Sequence, residues 1–346
     1  MITITKESFG KLKTGEEVSL FRMTNCCGSY IEVLDYGCTL KSICVPNRLL
    51  SPVDVCLSYD SIAEYEEQDG YLGAVVGRHA NRIGNGEFEL NGKKYSVACN
   101  NGPNHLHGGI RGFDKYIWQA HTDETGVSFS RLSPDGEEGY PGNLNVCVRY
   151  GWSENNELSI HYTADTDADT VINLTNHCYF NLNGGGTALE HVLWVNSHSF
   201  CENDSNCLPT GRVVDTADCP AMDFTLPKSA GRDINMDDIN LKNAGGYDHN
   251  YILSERGENF AAAMLTCPQS GIDMTVSTTL PGIQVYSANF LTERRGKNGI
   301  CYSERDAVCL ETQFFPNGLA CGFEPAPVLK KGDSFDETTR YSFSLV

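Results

Sequence analysis

The sequence predicts an all-β chain, one large and mainly antiparallel β-sandwich, from three observations. Apolar and polar residues alternate with a period of two in short runs, turn residues separate the runs, and long helical periodicity is nearly absent. In chain order the runs are EVSLFRM (17–23), YIEVLDYG (30–37), VSFSRLS (127–133), ELSIHYT (157–163), MTVSTTL (274–280) and RYSFSLV (340–346). All are rich in β-branched or aromatic residues, which fit a pleated, half-buried surface.

One short helix is expected around SIAEYEEQ (61–68), where Ser61 and Glu64 stand at capping-box spacing. The clearest hairpin is GEFELNGKKYSVA (86–98). Phe88 and Leu90 alternate with acids, Asn91-Gly92 suits a type I′ turn, and Tyr95 and Val97 return. Thirty-four glycines are spread along the chain, with no composition break, low-complexity tract or short repeat. Residues 1–346 are therefore expected to form a single domain.

Charge excludes several partners. A net charge of −19 repels phosphate backbones and anionic membrane surfaces, so neither nucleic acid nor membrane is an expected partner. No segment approaches the ~20 apolar residues of a spanning helix, and the start MITITKESFG lacks the pattern of a secretory leader. Fifteen cysteines, an odd number without a C-x-x-C pair, argue against a disulfide framework or a zinc ribbon. Several stand inside apolar runs such as NVCVRY and AVCLETQFF, as small buried hydrophobes do. A reducing, cytoplasmic chain is expected; the sequence is silent on oligomeric state.

Polar residues in unusual company mark the candidate site. GRHANRIGNGEFELNG (77–92) is glycine-rich but runs into a hairpin rather than a helix, so it is no phosphate cradle. Asn81 and Arg82 beside this turn are either surface polar groups or a set of fixed donors for hydroxyls. In NNGPNHLHGG the flanking glycines suggest backbone held tightly in a site wall, and an extended centre would aim His105 and His107 at the same face. A zinc site would need a third ligand, for which Asp248 and His249 in GGYDHNYIL are candidates. There is no H-E-x-x-H pattern or dense ligand cluster, so no metal is expected.

In VINLTNHCYFNLNG (171–184), His177 sits among amide side chains that would be costly to bury idle. Glu311 falls between Leu310 and Thr312 in a strongly apolar strand, either facing solvent at a sheet edge or buried for a purpose. PGIQVYSANFL (281–291) adds Gln284 amid aromatics, which either stack on sugar faces or fill the core.

Together these runs resemble the aldose 1-epimerase family. GRHANRIGNGEFELNGKKY, NNGPNHLHGG, GFDKYIW, GYPG, NLTNHCYFNLNG, GYDHNYIL, PGIQVYSANFL and LETQFFPN occur in the family's order, and the likeness extends over essentially the whole chain. One loop, VPNRLLSPVDVCLSYD (45–60), departs from the family's acidic, glycine-containing turn but lies outside the motifs. The resemblance implies a β-supersandwich that interconverts aldose anomers such as those of galactose and glucose, with no cofactor. It implies His177 as general acid and Glu311 as general base. Asn81, Arg82, His107, Asp248 and Gln284 become sugar-binding groups, while His105 supports its loop. The rival readings are a hexose-6-phosphate epimerase, for which the motifs offer only Arg78 and Arg82 as cations, and a non-catalytic carbohydrate-binding protein of the same fold.

Overall fold

A computed structural model describes residues 1–346. Its three largest sheets are antiparallel throughout. An N-terminal sheet runs in sequence order through Thr3–Lys11, Glu17–Thr24, Tyr30–Leu34, Leu40–Pro46 and Pro52–Asp54. A nine-stranded sheet takes in Gly126–Ser133, Leu144–Trp152 and Glu157–Thr166, then crosses to the C-terminal strand Ser334–Leu345 and on to Ile272–Thr278. A third sheet has the order Pro209–Asp215, Ser199–Asn203, Asp248–Ile252, Gly282–Tyr286, Cys309–Gln313. Every run picked out by its period of two contains a strand, though those of 30–37 and 274–280 stop at Leu34 and Thr278, and the fold is the expected antiparallel β-supersandwich.

The alternation works as period-two burial should. Leu144–Trp152 buries every other side chain, from Leu144 through Val146, Val148 and Tyr150 to Trp152. One continuous apolar cluster then joins the three sheets, with Phe21 and Val33 from the first, Phe129, Val148 and Ile160 from the second, and Tyr251, Ile283 and Leu310 from the third. The third sheet differs from the others. Gly282–Tyr286 and Cys309–Gln313 are buried at every position, so both faces are covered. One face meets the core; the other lies under the candidate site.

Local signals also hold. Ser61 donates its backbone N–H to the Glu64 carboxylate at the start of the helix Ile62–Glu67. The hairpin pairs Phe88 with Tyr95 in register, and Asn91 and Gly92 both take the positive φ a type I′ turn requires. A second helix, Ile239–Ala244, was not expected from periodicity because it is barely two turns long. Its signal lay in its ends: Asp238 caps the first turn and Gly245 stops it in the left-handed region. Nine of the fifteen thiols are buried, and all fifteen are free.

Candidate active site

Strand register gathers most of the site. Asn250, Gln284 and Glu311 are paired across three adjacent strands, so their side chains share one face. Asp248 and Tyr286 stand two residues along their own strands and share it too. The intervening Tyr251, Ile283, Val285 and Leu310 point the opposite way into the core. A cavity of about 650 Å³ lies over this polar face, and Asn81, Arg82, His107, His177, Asp248 and Glu311 all line it.

Glu311 sits on the last strand of its sheet yet is only 2% exposed. The solvent-facing alternative for this edge position therefore does not hold. Its Oε2 has no hydrogen-bond partner in the protein and stands 3.7 Å from His177 Nε2. Burial, with the Asp248 carboxylate adding to it and Arg82 opposing, holds the Glu311 carboxyl well above its ordinary value. Burial likewise pushes His177 down to about 4, partly offset by Asp248. His177 is clamped by its own backbone, donating N–H to Ala74 O at 2.9 Å and accepting at its carbonyl from Gly73 N–H at 2.8 Å. Its ring is near-parallel to those of Tyr179 and Tyr71, with centroids 5.0 and 6.1 Å away.

The two histidines of NHLHGG part company. Only His105 and Leu106 are extended, and His107 turns into the left-handed region at φ 52°. The expectation that both imidazoles share a face is thereby corrected, because a single left-handed residue breaks the alternation. His105 is fully buried off the cavity, its Nδ1 on Ala98 O at 2.7 Å and its Nε2 on the Tyr140 hydroxyl at 2.6 Å. It ties the loop to GYPG. The glycines after His107 are there for approach: a Cβ on Gly108 would lie 1.8 Å from Gly77 O.

His107, His177 and Glu311 are close enough to suggest a metal trio, their ligand atoms lying within 4.8 Å of one another. The third ligand that the sequence did not supply is thus Glu311 rather than Asp248 or His249. One hydrogen bond argues against ligation. Asn81 N–H donates to His107 Nδ1 at 3.1 Å, so that nitrogen keeps its lone pair and the ring proton resides on Nε2. His107 therefore presents a donor to the cavity, suited to a hydroxyl and not to a cation. Burial and the neighbouring His177 and Arg82 keep it neutral.

Arg82 and Asn81 are buried, which removes the surface alternative for this pair. Arg82 Nε donates to Asn101 Oδ1 at 3.1 Å, and its Nη1 lies 3.7 Å from Asp248 Oδ2. Asn81 accepts the Arg82 backbone N–H at Oδ1, leaving its amide nitrogen without a protein partner. Gln284 is placed differently from the expected sugar grip. It does not line the cavity; its Nε2 donates to Asp248 Oδ1 at 2.6 Å and its Oε1 accepts from Gln313. Both ends of that amide are occupied within the protein, which puts Gln284 behind Asp248. Arg78 also lies outside the site, its guanidinium consumed by Ser133, Pro134, Pro141, Gly142 and Thr170.

Several cavity residues escaped the sequence reading: Tyr71, Asn101, Cys207 and Arg294, whereas Tyr286 is one of the aromatics noted in PGIQVYSANFL. Only Tyr71 carried a usable signal, an aromatic flanked by glycines in DGYLG.

An antiparallel β-supersandwich with a buried imidazole–carboxylate pair lining a polar cavity can pass protons to and from a bound molecule, as an acid–base enzyme does. The family model for aldose 1-epimerase matches residues 19–342. The galactose mutarotase of Sus scrofa is 39% identical and that of Homo sapiens 37%, each over all of both chains. The aldose 1-epimerase of Escherichia coli K12 is 32% identical over 95% of this chain and 96% of its own. Among solved structures, an aldose epimerase homologue from C. elegans superposes with a TM-score of 0.87 at 28% identity, each chain fully covered. This chain belongs to the aldose 1-epimerase family, and it is an isomerase that interconverts the anomers of aldoses.

Proposed function

We propose that the chain opens and recloses the pyranose ring of neutral aldohexoses such as galactose and glucose, with Glu311 as base and His177 as acid. Asn81, Arg82, His107 and Asp248 hold the sugar hydroxyls, and Gln284 orients Asp248. The observation that carries this reading is the buried His177–Glu311 pair, 3.7 Å apart under a cavity lined by fixed donors.

The pair holds one mobile proton. With the cyclic sugar bound it is ionised, as carboxylate and imidazolium. Glu311 takes the C1 hydroxyl proton while His177 gives its proton to the ring oxygen. The C1–O5 bond breaks, C1 becomes a carbonyl carbon, and both side chains are left neutral. Rotation about C1–C2 presents the other carbonyl face. His177 then removes the proton from the C5 hydroxyl as its oxygen attacks C1, and Glu311 returns a proton to the carbonyl oxygen. Burial raises the carboxyl and lowers the imidazole, so it favours the neutral form of the pair, the form that accompanies the open aldehyde. Polarimetry on freshly dissolved α-galactose and α-glucose tests the activity, after subtraction of the spontaneous rate.

Charge in the cavity is balanced. Arg82 is paired with Asp248, Arg294 with Asp69 and Lys242 with Asp237 just outside the lining, while the His177–Glu311 pair with its one proton adds no net charge. A phosphorylated sugar would find no surplus positive charge and would add to the −19 of the chain. The kcat/KM for glucose is accordingly expected to exceed that for glucose 6-phosphate by at least tenfold. A preference for the phosphate would favour the rival epimerase.

Proton transfer between these groups needs no Lewis acid, and the His107 tautomer disfavours ligation. Enzyme treated with a strong chelator and desalted should equilibrate anomers at an unchanged rate. Loss of activity restored by zinc would contradict this. We further read residues 1–346 as one domain, supported by the largest apolar cluster, which is shared among the three sheets. The fifteen free thiols support a reducing, cytoplasmic setting. No helix is long and apolar enough to cross a membrane.

A further inference from the structure

We infer that Tyr71 is a further substrate-contacting residue, its phenol hydroxyl bonding a hydroxyl of the sugar whose ring His177 and Glu311 open. The inference rests on the catalytic reading above and extends it to a side chain that reading does not use.

Backbone geometry is the first observation. Tyr71 is an aromatic residue at φ 56°, in the left-handed region that bulky side chains rarely adopt. Such conformations persist where the surrounding structure holds them, and they concentrate at functional sites. The holding contacts are visible. Ala74 N–H donates to Tyr71 O at 2.9 Å, and Leu72 N–H donates to Gln68 Oε1 at 2.9 Å. The next residues, Gly73 and Ala74, are the two that clamp the His177 backbone. The turn that presents Tyr71 and the segment that presents His177 are thus one hydrogen-bonded unit.

Ring placement is the second. The Tyr71 centroid lies 4.7 Å from that of His107 and 6.1 Å from that of His177, nearly parallel to the latter at 14°. Tyr71 lines the same cavity as both imidazoles.

The third observation is its hydroxyl. Of the three tyrosines lining the cavity, Tyr286 has its hydroxyl engaged, accepting from Phe290 N–H at 2.9 Å, whereas Tyr71 and Tyr179 do not, and of these two only Tyr71 stands on a left-handed turn. The Tyr71 hydroxyl bonds to no protein group, while its ring is largely buried and burial raises its pKa, so it remains a protonated donor. A strained turn thus delivers an uncommitted O–H to the cavity that holds the catalytic pair.

Tyr71→Phe removes that hydroxyl and keeps the ring, so it separates bonding from packing. The expected result is a rise in KM of about tenfold with kcat within twofold and an unchanged melting temperature, as loss of one ligand hydrogen bond requires. A series of 2-, 3-, 4- and 6-deoxyhexoses then locates the partner. The analogue lacking the contacted hydroxyl should show the same KM with wild type and Tyr71→Phe, whereas the others should keep the tenfold difference. An unchanged KM for the parent sugar, or an equal penalty on every deoxy analogue, overturns the inference. Glu311→Gln run alongside keeps the two readings apart. If it stays active, the catalytic assignment fails; if it is inactive and Tyr71→Phe behaves as wild type, only the Tyr71 inference fails.

Discussion

Replacing Glu311 with Gln is expected to lower kcat by about 10²–10⁴-fold, equivalent to roughly 3–5 kcal/mol of barrier, with KM little changed. Gln keeps the size and most of the hydrogen bonding but cannot take the C1 proton. His177→Asn should act similarly at the ring oxygen. The two lesions strike one coupled exchange, so the double variant should be little worse than either single. His107→Ala, by contrast, removes a donor to the sugar and should raise KM as well. Stability should move the other way from activity. The folded Glu311 carboxyl binds its proton more tightly than the unfolded one, so its contribution to stability is lost as pH rises through the raised folded value. Glu311→Gln should therefore melt at or above the wild-type temperature, with a margin that widens from pH 5 to pH 8. Glu311→Gln activity within a few-fold of wild type would place the base elsewhere.

Acid should unfold this protein as pH falls toward about 4, where its buried histidines take up protons. Burial lowers His79 to about 3 and His177, His191 and His249 to about 4, and also lowers His105 and His107. Each of these groups stabilises the fold fully above its unfolded value near ~6.5 and loses that contribution as pH falls toward the folded value. At pH 5 the first four cost about 2 kcal/mol each, or roughly 8 kcal/mol together, against a typical total of about 5–15 kcal/mol. Asp114, pushed up to about 6 by burial, returns about 1 kcal/mol over the same range, and the raised Glu311 carboxyl returns a further part.

The structural reason is specific. His191 Nε2 accepts Leu182 N–H at 2.8 Å, His249 Nδ1 accepts Asp248 N–H at 3.2 Å, and His107 Nδ1 accepts Asn81 N–H. Protonating any of these nitrogens sets two donors against each other in the interior. Circular dichroism and tryptophan fluorescence followed from pH 8 to pH 3 would record the transition, and a fully native signal at pH 4 would refute it.

The sequence by itself determined the architecture and the chemical cast. Alternation along 144–152 or 157–163 is a local property of extended backbone, so it survives into the structure unchanged. The Asn91-Gly92 turn and the Ser61–Glu64 cap are equally local. Glu311 drew attention because a carboxylate between Leu310 and Thr312 needs a reason, and its neighbours do point into packed interior. What a residue faces beyond its own strand was decided only in three dimensions. One left-handed residue at position 107 sends His105 and His107 to different surroundings. Antiparallel register brings Asn250, Gln284 and Glu311 into one row, and the amide of Gln313 then engages Gln284 and leaves it behind Asp248. Tyr71 joins the site through a turn hydrogen-bonded to a segment more than a hundred residues away. Local backbone preference fixes which face a side chain takes. The partner across that face depends on chain crossings and hydrogen-bond competition that no short window of sequence contains.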